Sequence, residues 1–359
     1  MLAWLAGVGS QLHERSLLPL SAYVGGCLAA VLLFAAAWLC RRRAWRAILL
    51  ATAAAAATVQ GLDDLLAHLA AIPGAVWVVP VAPLWAQMAG LAAAALIVMP
   101  LPWRARLLAG ALVLALLVPS RDLPIEGSFD LIAADVGQGM SVLVRTRGHV
   151  LLFDTGPQYS RESDAGQRVL VPLLRSRGDE HVDLLMLSHR DLDHVGGALT
   201  ILHGLDVDAL SSSLEPGHPI AAAAKQASRC EAGQHWRWDR VDFAVLRPLA
   251  DDYARTLKSN AMSCVLHISG GGRSALLVGD IERDQETLLV DAYGSALRSD
   301  VLVVPHHGSR TSSSVRFIEA VQPKIAVFQT GYRNRFGHPA RDVVERYRER
   351  GAAIVASPA

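Results

Sequence analysis

Two textures divide the chain. Up to about Val118 it runs in long apolar stretches, and from Phe129 onward short apolar runs alternate with polar turns. Ser16 to Cys40 is 25 residues without a charged side chain. About 20 apolar residues cross a bilayer as a helix, so this stretch predicts a span. Arg41, Arg42 and Arg43 follow it. A cleaved leader carries its basic residues ahead of the apolar run, so the span reads as retained. Ala47–Leu62 predicts a second, shorter span. Leu65 to Pro102 has no charged residue besides the neutral His68, but Pro73, Gly74, Pro80 and Pro83 interrupt it. Leu65–Pro83 therefore reads as an interfacial or re-entrant piece, and Leu84–Met99 as a span. Arg106–Val118 is a short last span whose arginine must snorkel.

The second texture predicts strands at Phe129–Asp135, Met140–Thr146, His149–Phe153, Val182–Leu187, Val241–Leu246, Val265–Ile268, Ala275–Val278, Val301–Val304 and Ile325–Phe328, with a last one at Ile354–Ala356. Helices are expected at Val169–Arg177, Gly197–His203, Ile281–Ala292, Ser312–Val321 and Arg341–Arg350. Many strands first, then strands alternating with helices, suit a layered α/β domain. The division is 1–122 for the membrane region and 126–359 for the soluble domain.

Charge sharpens that division. The 359 residues carry a net charge of +1 and are 52% hydrophobic but only 19% charged. Ten of the charges fall in residues 1–120, seven of them basic, leaving 27 bases and 30 acids beyond. Bulk charge thus marks neither a basic nucleic-acid binder nor an acidic disordered chain. Arg41–Arg43 with Arg46, and Arg104 with Arg106, fall in two loops that four spans place on one side. The positive-inside rule makes that side cytoplasmic, so the soluble domain is expected outside. Of four cysteines, Cys27 and Cys40 lie in the apolar third, and Cys230 and Cys264 stand 34 residues apart with no CxxC. Free buried thiols are the expectation, with a Cys230–Cys264 pair in an oxidising compartment as the alternative.

Chemistry concentrates where apolar strands end. Asp154, His189, Asp280 and His306 each follow such a run. The densest segment is Ser188-His189-Arg190-Asp191-Leu192-Asp193-His194-Val195-Gly196-Gly197. His189, Asp191 and Asp193 alternate and share a face in an extended loop, while His194 turns the other way. Such a loop can feed two adjacent metals, His189 and Asp191 to one, Asp193 and His194 to the other. Imidazole and carboxylate suit zinc, manganese or iron, and paired metals clamp a phosphate or a carbonyl.

This segment resembles the His-x-His-x-Asp-His signature of the metallo-β-lactamase superfamily, with Asp191 in place of the second histidine. Together with Asp135–Gly139, Asp154-Thr155-Gly156, Ser259–Leu266, Val278-Gly279-Asp280, His306–Ser309 and Phe336–Pro339, it resembles the soluble domain of ComEC/Rec2 competence DNA-uptake proteins. The resemblance extends upstream, because Ile72–Trp77 and the spans after it look like the end of the family's membrane region.

The resemblance implies a four-layer αββα sandwich behind an all-α membrane segment, with one or two divalent ions, zinc or manganese. It makes Asp280 the metal-bridging carboxylate and Asp154 its support. His306 is the favoured further ligand, His307 a supporting neighbour, and His338 a ligand or proton donor. No histidine stands where the first metal usually finds its third, and Asn260 and Ser263 are the polar groups that can fill the gap. The implied partners are single-stranded DNA, the lipid bilayer and other DNA-uptake proteins. The implied activity is metal-dependent phosphodiester hydrolysis of the strand left outside, in an inner-membrane, multi-pass protein. A tethered hydrolase of small esters, lactams or lactones and a catalytically degenerate scaffold are the other readings. The family's chains are longer, with a small β domain and more spans upstream, so a shorter form is expected here.

Overall fold

The computed structural model describes residues 32, 43–70, 72, 79–118 and 122–357. The expected span at Ser16–Cys40 lies outside them, apart from Leu32. The chain divides into two compact units, 1–78 and 79–359, and each is taken by itself.

In the first unit, helix α1 (Arg43–Ala70) runs unbroken for 28 residues. The stop expected at Leu62 is absent. Asp63 and Asp64 are exposed on the helix surface, so neither carboxylate has to be buried, and the alanine- and leucine-rich sequence favours continuing the helix. The interfacial piece expected from Leu65 is therefore helix as far as Ala70. Within α1, Trp45–Leu69 is long and apolar enough to cross a membrane, alone in this among the described residues.

The second unit begins with α2 (Leu84–Val98) and α3 (Trp103–Leu117), packed as a helical hairpin. Ala86, Ala93 and Ala109 are buried between or beside the helices. A side chain on Gly90 would meet Leu116 Cδ2 at 2.9 Å, so small residues are what let the backbones approach. Trp85, Leu91, Trp103 and Leu108 point outward.

Two sheets follow. The first contains β1 (Asp130–Ala133), β2 (Val142–Arg145), β3 (Val150–Phe153), β6 (His181–Leu187), β7 (Asp206–Ser212) and β8 (Ala227–Arg229), in that spatial order. A small ribbon, β4 (Gln158–Ser160) with β5 (Ser163–Asp164), stands apart. The second sheet runs in order from β9 (His235–Trp238) through β10 (Val241–Arg247), β11 (Val265–Gly270), β12 (Arg273–Leu277), β13 (Val301–Val303) and β14 (Ile325–Gln329) to β15 (Ala353–Ser357). Each sheet is antiparallel where hairpins connect its strands. It becomes parallel where helices intervene, from β3 to β8 and from β12 to β15.

Side-chain alternation sorts the core into three layers. Val142, Val144, Leu151 and Phe153 meet Phe243, Val245, Leu266 and Ile268 between the sheets. Their neighbours Leu143 and Leu152 face the other way, onto α4 (Val171–Arg177), α5 (Leu192–Val195) and α6 (Ala198–Gly204) through Leu174, Val195 and Ile201. A short α7 (Pro219–Ala223) closes that side with Ile220. On the far face of the second sheet, Leu276, Leu302 and Ala326 pack on α8 (Arg283–Tyr293), α9 (Val315–Val321) and α10 (Arg341–Arg348) through Leu289, Phe317 and Val343. These are the four αββα layers that the resemblance implies. Covering both faces of each sheet also explains why Val142–Val144, β3 and Leu184–Leu187 read as unbroken apolar runs.

The expectation for the cysteines is corrected. Cys230, just after β8, and Cys264, just before β11, form a disulfide with their Cα atoms 6.1 Å apart. Both lie in the layer between the sheets. Facing sheets bring together two residues that no local spacing relates, which is why the sequence leaves this pair as the less favoured reading.

Candidate metal centre

Strand ends deliver the site. Asp154 follows β3 with φ +58°, His189 follows β6, Asp280 follows β12, and His306 and His307 follow β13 with φ +48° and +54°. The motif loop between β6 and α6 lies against residues 155–166. A side chain on Gly196 would come within 2.1 Å of Gln158 N, and one on Gly197 within 2.5 Å of Gly166 N. The glycine pair is thus what allows the loop to seat.

Asp193, His194, Asp280 and His307 bring one ligand atom each to within 4.8 Å of one another. His194 Nε2 is 3.2 Å from Asp280 Oδ1, and His307 Nε2 is 3.3 Å from Asp193 Oδ2 and 3.6 Å from Asp280 Oδ2. His189 stacks beside them at a tilt, its ring centroid 4.1 Å from that of His194, with Nε2 3.5 Å from Asp191 Oδ2.

The sequence expectation paired His306 with the metal and kept His307 in support, whereas the candidate cluster contains His307 and not His306. His307 is 2% exposed on its side chain and turns inward, whereas His306 is 22% exposed and lies 3.7 Å from Asp280 Oδ2. Successive left-handed residues reverse the backbone here, which no sequence pattern of two adjacent histidines specifies. His338 stands farther out, with its ring 5.9 Å from that of His306.

Outer partners fix which nitrogen of each ring faces inward. Asp154 Oδ2 is 2.7 Å from His194 Nδ1, while its Oδ1 accepts from Ser188 N–H at 2.7 Å. Gln329 O lies 2.8 Å from His307 Nδ1. Ser188 Oγ is 2.9 Å from His189 Nδ1. Ser263 Oγ accepts from Asp280 N–H at 3.0 Å and lies 3.5 Å from His189 Nδ1. Asn260 lends only its backbone carbonyl, to Ser263 N–H at 3.1 Å. Ser188 and Gln329 were not anticipated in these roles. Gln329 had a visible signal, a polar residue ending the apolar run of β14. Its Nε2 donates to Ala134 O and Ser141 O and so ties the second sheet to the first.

The electrostatics suit a cation. Burial opposes charge at His194 and His307, yet Asp280 and the carboxylates beside each ring, Asp154 and Asp193, raise both pKa values. Burial would likewise raise Asp280, but the His194 and His307 charges hold it well below the usual carboxylate range. Asp191 is drawn down to about 2, first by the His189 ring beside it and further by Ser259. Even so, Nε2 of His189, His194 and His307 and Oδ1 of Asp280 are buried without a hydrogen-bond partner. Buried polar atoms are rarely left so, and divalent metal bound among these side chains would satisfy them. The donor set of imidazole and carboxylate fits zinc or manganese. Because Asp154 fixes the His194 ring, Asp154→Asn is expected to weaken divalent-metal binding by about 10–100-fold. Calorimetric titration with manganese or zinc measures this, and unchanged affinity would remove Asp154 from the site.

A second group, His181 with Asp206 and Asp208, sits at the opposite strand ends. There Lys225 already pairs with Asp206, which leaves the group reading as a surface ion-pair network.

Comparison with known proteins shows the family. The metallo-beta-lactamase superfamily matches residues 134–332. The competence protein ComA of Neisseria gonorrhoeae is 38% identical over 283 residues, covering 77% of this chain and 38% of its own length. Recombination protein 2 of Haemophilus influenzae is 34% identical, with 61% of this chain and 26% of its own length aligned. ComE operon protein 3 of Bacillus subtilis is also 34% identical, over 61% of this chain and 30% of its own length. The chain thus spans well under half the length of these relatives. The chain belongs to the metallo-β-lactamase superfamily and, within it, to the ComEC/Rec2 family of competence proteins.

Proposed function

We propose that the chain is a multi-pass inner-membrane protein of DNA uptake whose extracytoplasmic soluble domain hydrolyses phosphodiesters of the strand that is not carried inward. The observation that carries the hydrolytic part is the convergence of four buried, unpartnered donor atoms, from His189, His194, His307 and Asp280. Two further observations support the placement. Large apolar side chains point outward from the helices, among them Leu91 at 65% exposure and Trp103 at 68%. The Cys230–Cys264 disulfide fits an oxidising compartment, the side to which the basic loops assign the domain.

Asp193, His194, Asp280 and His307 would hold a divalent ion, which when bound would supply Lewis-acid stabilisation of the charge on a phosphoryl oxygen. His189 and Asp191 offer donors for a second ion. The chain's own groups do the rest. Asp154 and Gln329 O hold the His194 and His307 rings so that Nε2 faces the substrate side. Burial and the nearby His306 charge lower the His338 pKa. His338 is therefore mostly neutral near pH 7, and we assign it to relay a proton, accepting it from the attacking water and passing it to the departing sugar oxygen.

Full-length chain in detergent micelles, supplied with manganese or zinc, is expected to cleave end-labelled single-stranded DNA and to stop when chelator is added. Cleavage of small esters alone would redirect the reading to a small-molecule hydrolase. No hydrolysis of either, with metal bound, would leave a scaffold.

A further inference from the structure

Beside the metal centre, three aromatic rings are each covered in part by an arginine. Arg333 lies over Tyr332 at 5.2 Å, Arg335 over Phe336 at 4.9 Å, and Arg168 over Tyr159 at 5.3 Å. The rings nevertheless stay 75%, 55% and 41% exposed, respectively. Among the described residues none of the three guanidiniums makes an ion pair.

The group is continuous with the site. Phe336 stacks on His338 at 14° with centroids 6.0 Å apart, and His338 meets His306. Gly331 N–H donates to Gln138 Oε1 at 3.0 Å, and the Tyr159 hydroxyl donates to Val136 O at 2.9 Å. The loops at 136–139 and 331–338 therefore adjoin, with an aromatic–arginine pair on each side of the junction.

Exposed aromatic rings interleaved with arginines outside any ion pair suit a polyanion whose bases are free to stack. In a duplex the bases already stack on one another, and only phosphates are offered to a surface. We propose that loop 331–338, with Tyr159 and Arg168, is a platform for unpaired polynucleotide: Tyr332 and Phe336 stack on bases while Arg333, Arg335 and Arg168 pair with phosphates. The platform thereby confines the hydrolytic site to single strands. This rests on the phosphodiesterase reading of the same site.

The test measures binding by full-length chain in micelles, in chelator so that no cleavage occurs. The probes are a fluorescein-labelled oligothymidylate and a duplex of equal length. Oligothymidylate is expected to bind more tightly than duplex. Tyr332→Ala and Phe336→Ala should each weaken it about five- to hundredfold, with duplex binding little changed. Tyr332→Phe and Phe336→Tyr keep a ring and should keep the affinity, which separates stacking from a general effect on the loop. Equal binding of both probes, or alanine variants that bind oligothymidylate like the parent, would overturn the platform. That outcome would leave the exposed rings to a protein partner. The two readings fail separately: ring-dependent binding without metal-dependent cleavage sinks the hydrolase alone, and cleavage indifferent to the rings sinks the platform alone.

Discussion

Asp280→Ala is expected to strip the divalent ion from the centre and, with it, metal-dependent cleavage. Asp280 is the shared partner of the cluster, with His194 at 3.2 Å, His307 at 3.6 Å and His306 at 3.7 Å. Losing an outer partner of a metal ligand already costs about 10–100-fold in affinity, so removing this carboxylate should exceed about a hundredfold. The variant should still fold. An imidazole that loses its counter-charge sheds its proton and does not remain as a buried orphan cation. Metal loss is therefore separable from unfolding by comparing metal content after dialysis with circular dichroism of the same sample. Two companions sharpen the result. His307→Ala should lose metal as Asp280→Ala does, and His306→Ala should keep it. Full metal content in Asp280→Ala would place the ion elsewhere. Equal loss in both histidine variants would restore His306 to the site.

Much of the fold is legible in the chain because its sheets are covered on both faces. Runs such as Leu151-Leu152-Phe153 and Leu184–Leu187 are then apolar without alternation and bounded by turn residues. The motif loop is legible because four potential ligands fall within six residues and end at a glycine pair. Other features depend on tertiary contacts. Whether His306 or His307 turns inward is set by two left-handed residues after β13, and the inward ring is chosen by Gln329 O from the next strand. β7 escaped notice because Asp206 and Asp208 place acids on its exposed positions. α1 runs past the end expected at Leu62 because Asp63 and Asp64, which follow it, lie on the exposed helix surface and do not interrupt the helix. The aromatic platform is half visible in the chain: Arg333 and Arg335 lie just before the Phe336–Pro339 motif, but the rings they cover draw attention only once their exposure is known.

Removing the disulfide should have the largest effect on stability. Cys230→Ala with Cys264→Ala is expected to destabilise the soluble domain by about 4 kcal/mol, the chain-entropy value for a loop of 34 residues. The location makes a local effect follow as well. Cys264 N–H donates to Ser188 O at 2.9 Å, and the adjacent Ser263 Oγ accepts from Asp280 N–H. The link thus braces the segment that orients Asp280 against the strand end that carries His189. Reduced protein should accordingly bind metal more weakly as well as unfold earlier. The measurement is denaturant unfolding of full-length chain in micelles, with and without dithiothreitol. Reductant should bring the parent down to the level of the double variant and leave the variant unmoved. Cys27 and Cys40 are present in both, so any contribution from them cancels in that comparison. If reductant shifts parent and variant equally, or shifts neither, the brace is absent. The support that the bond lends to an oxidising location for the domain would go with it.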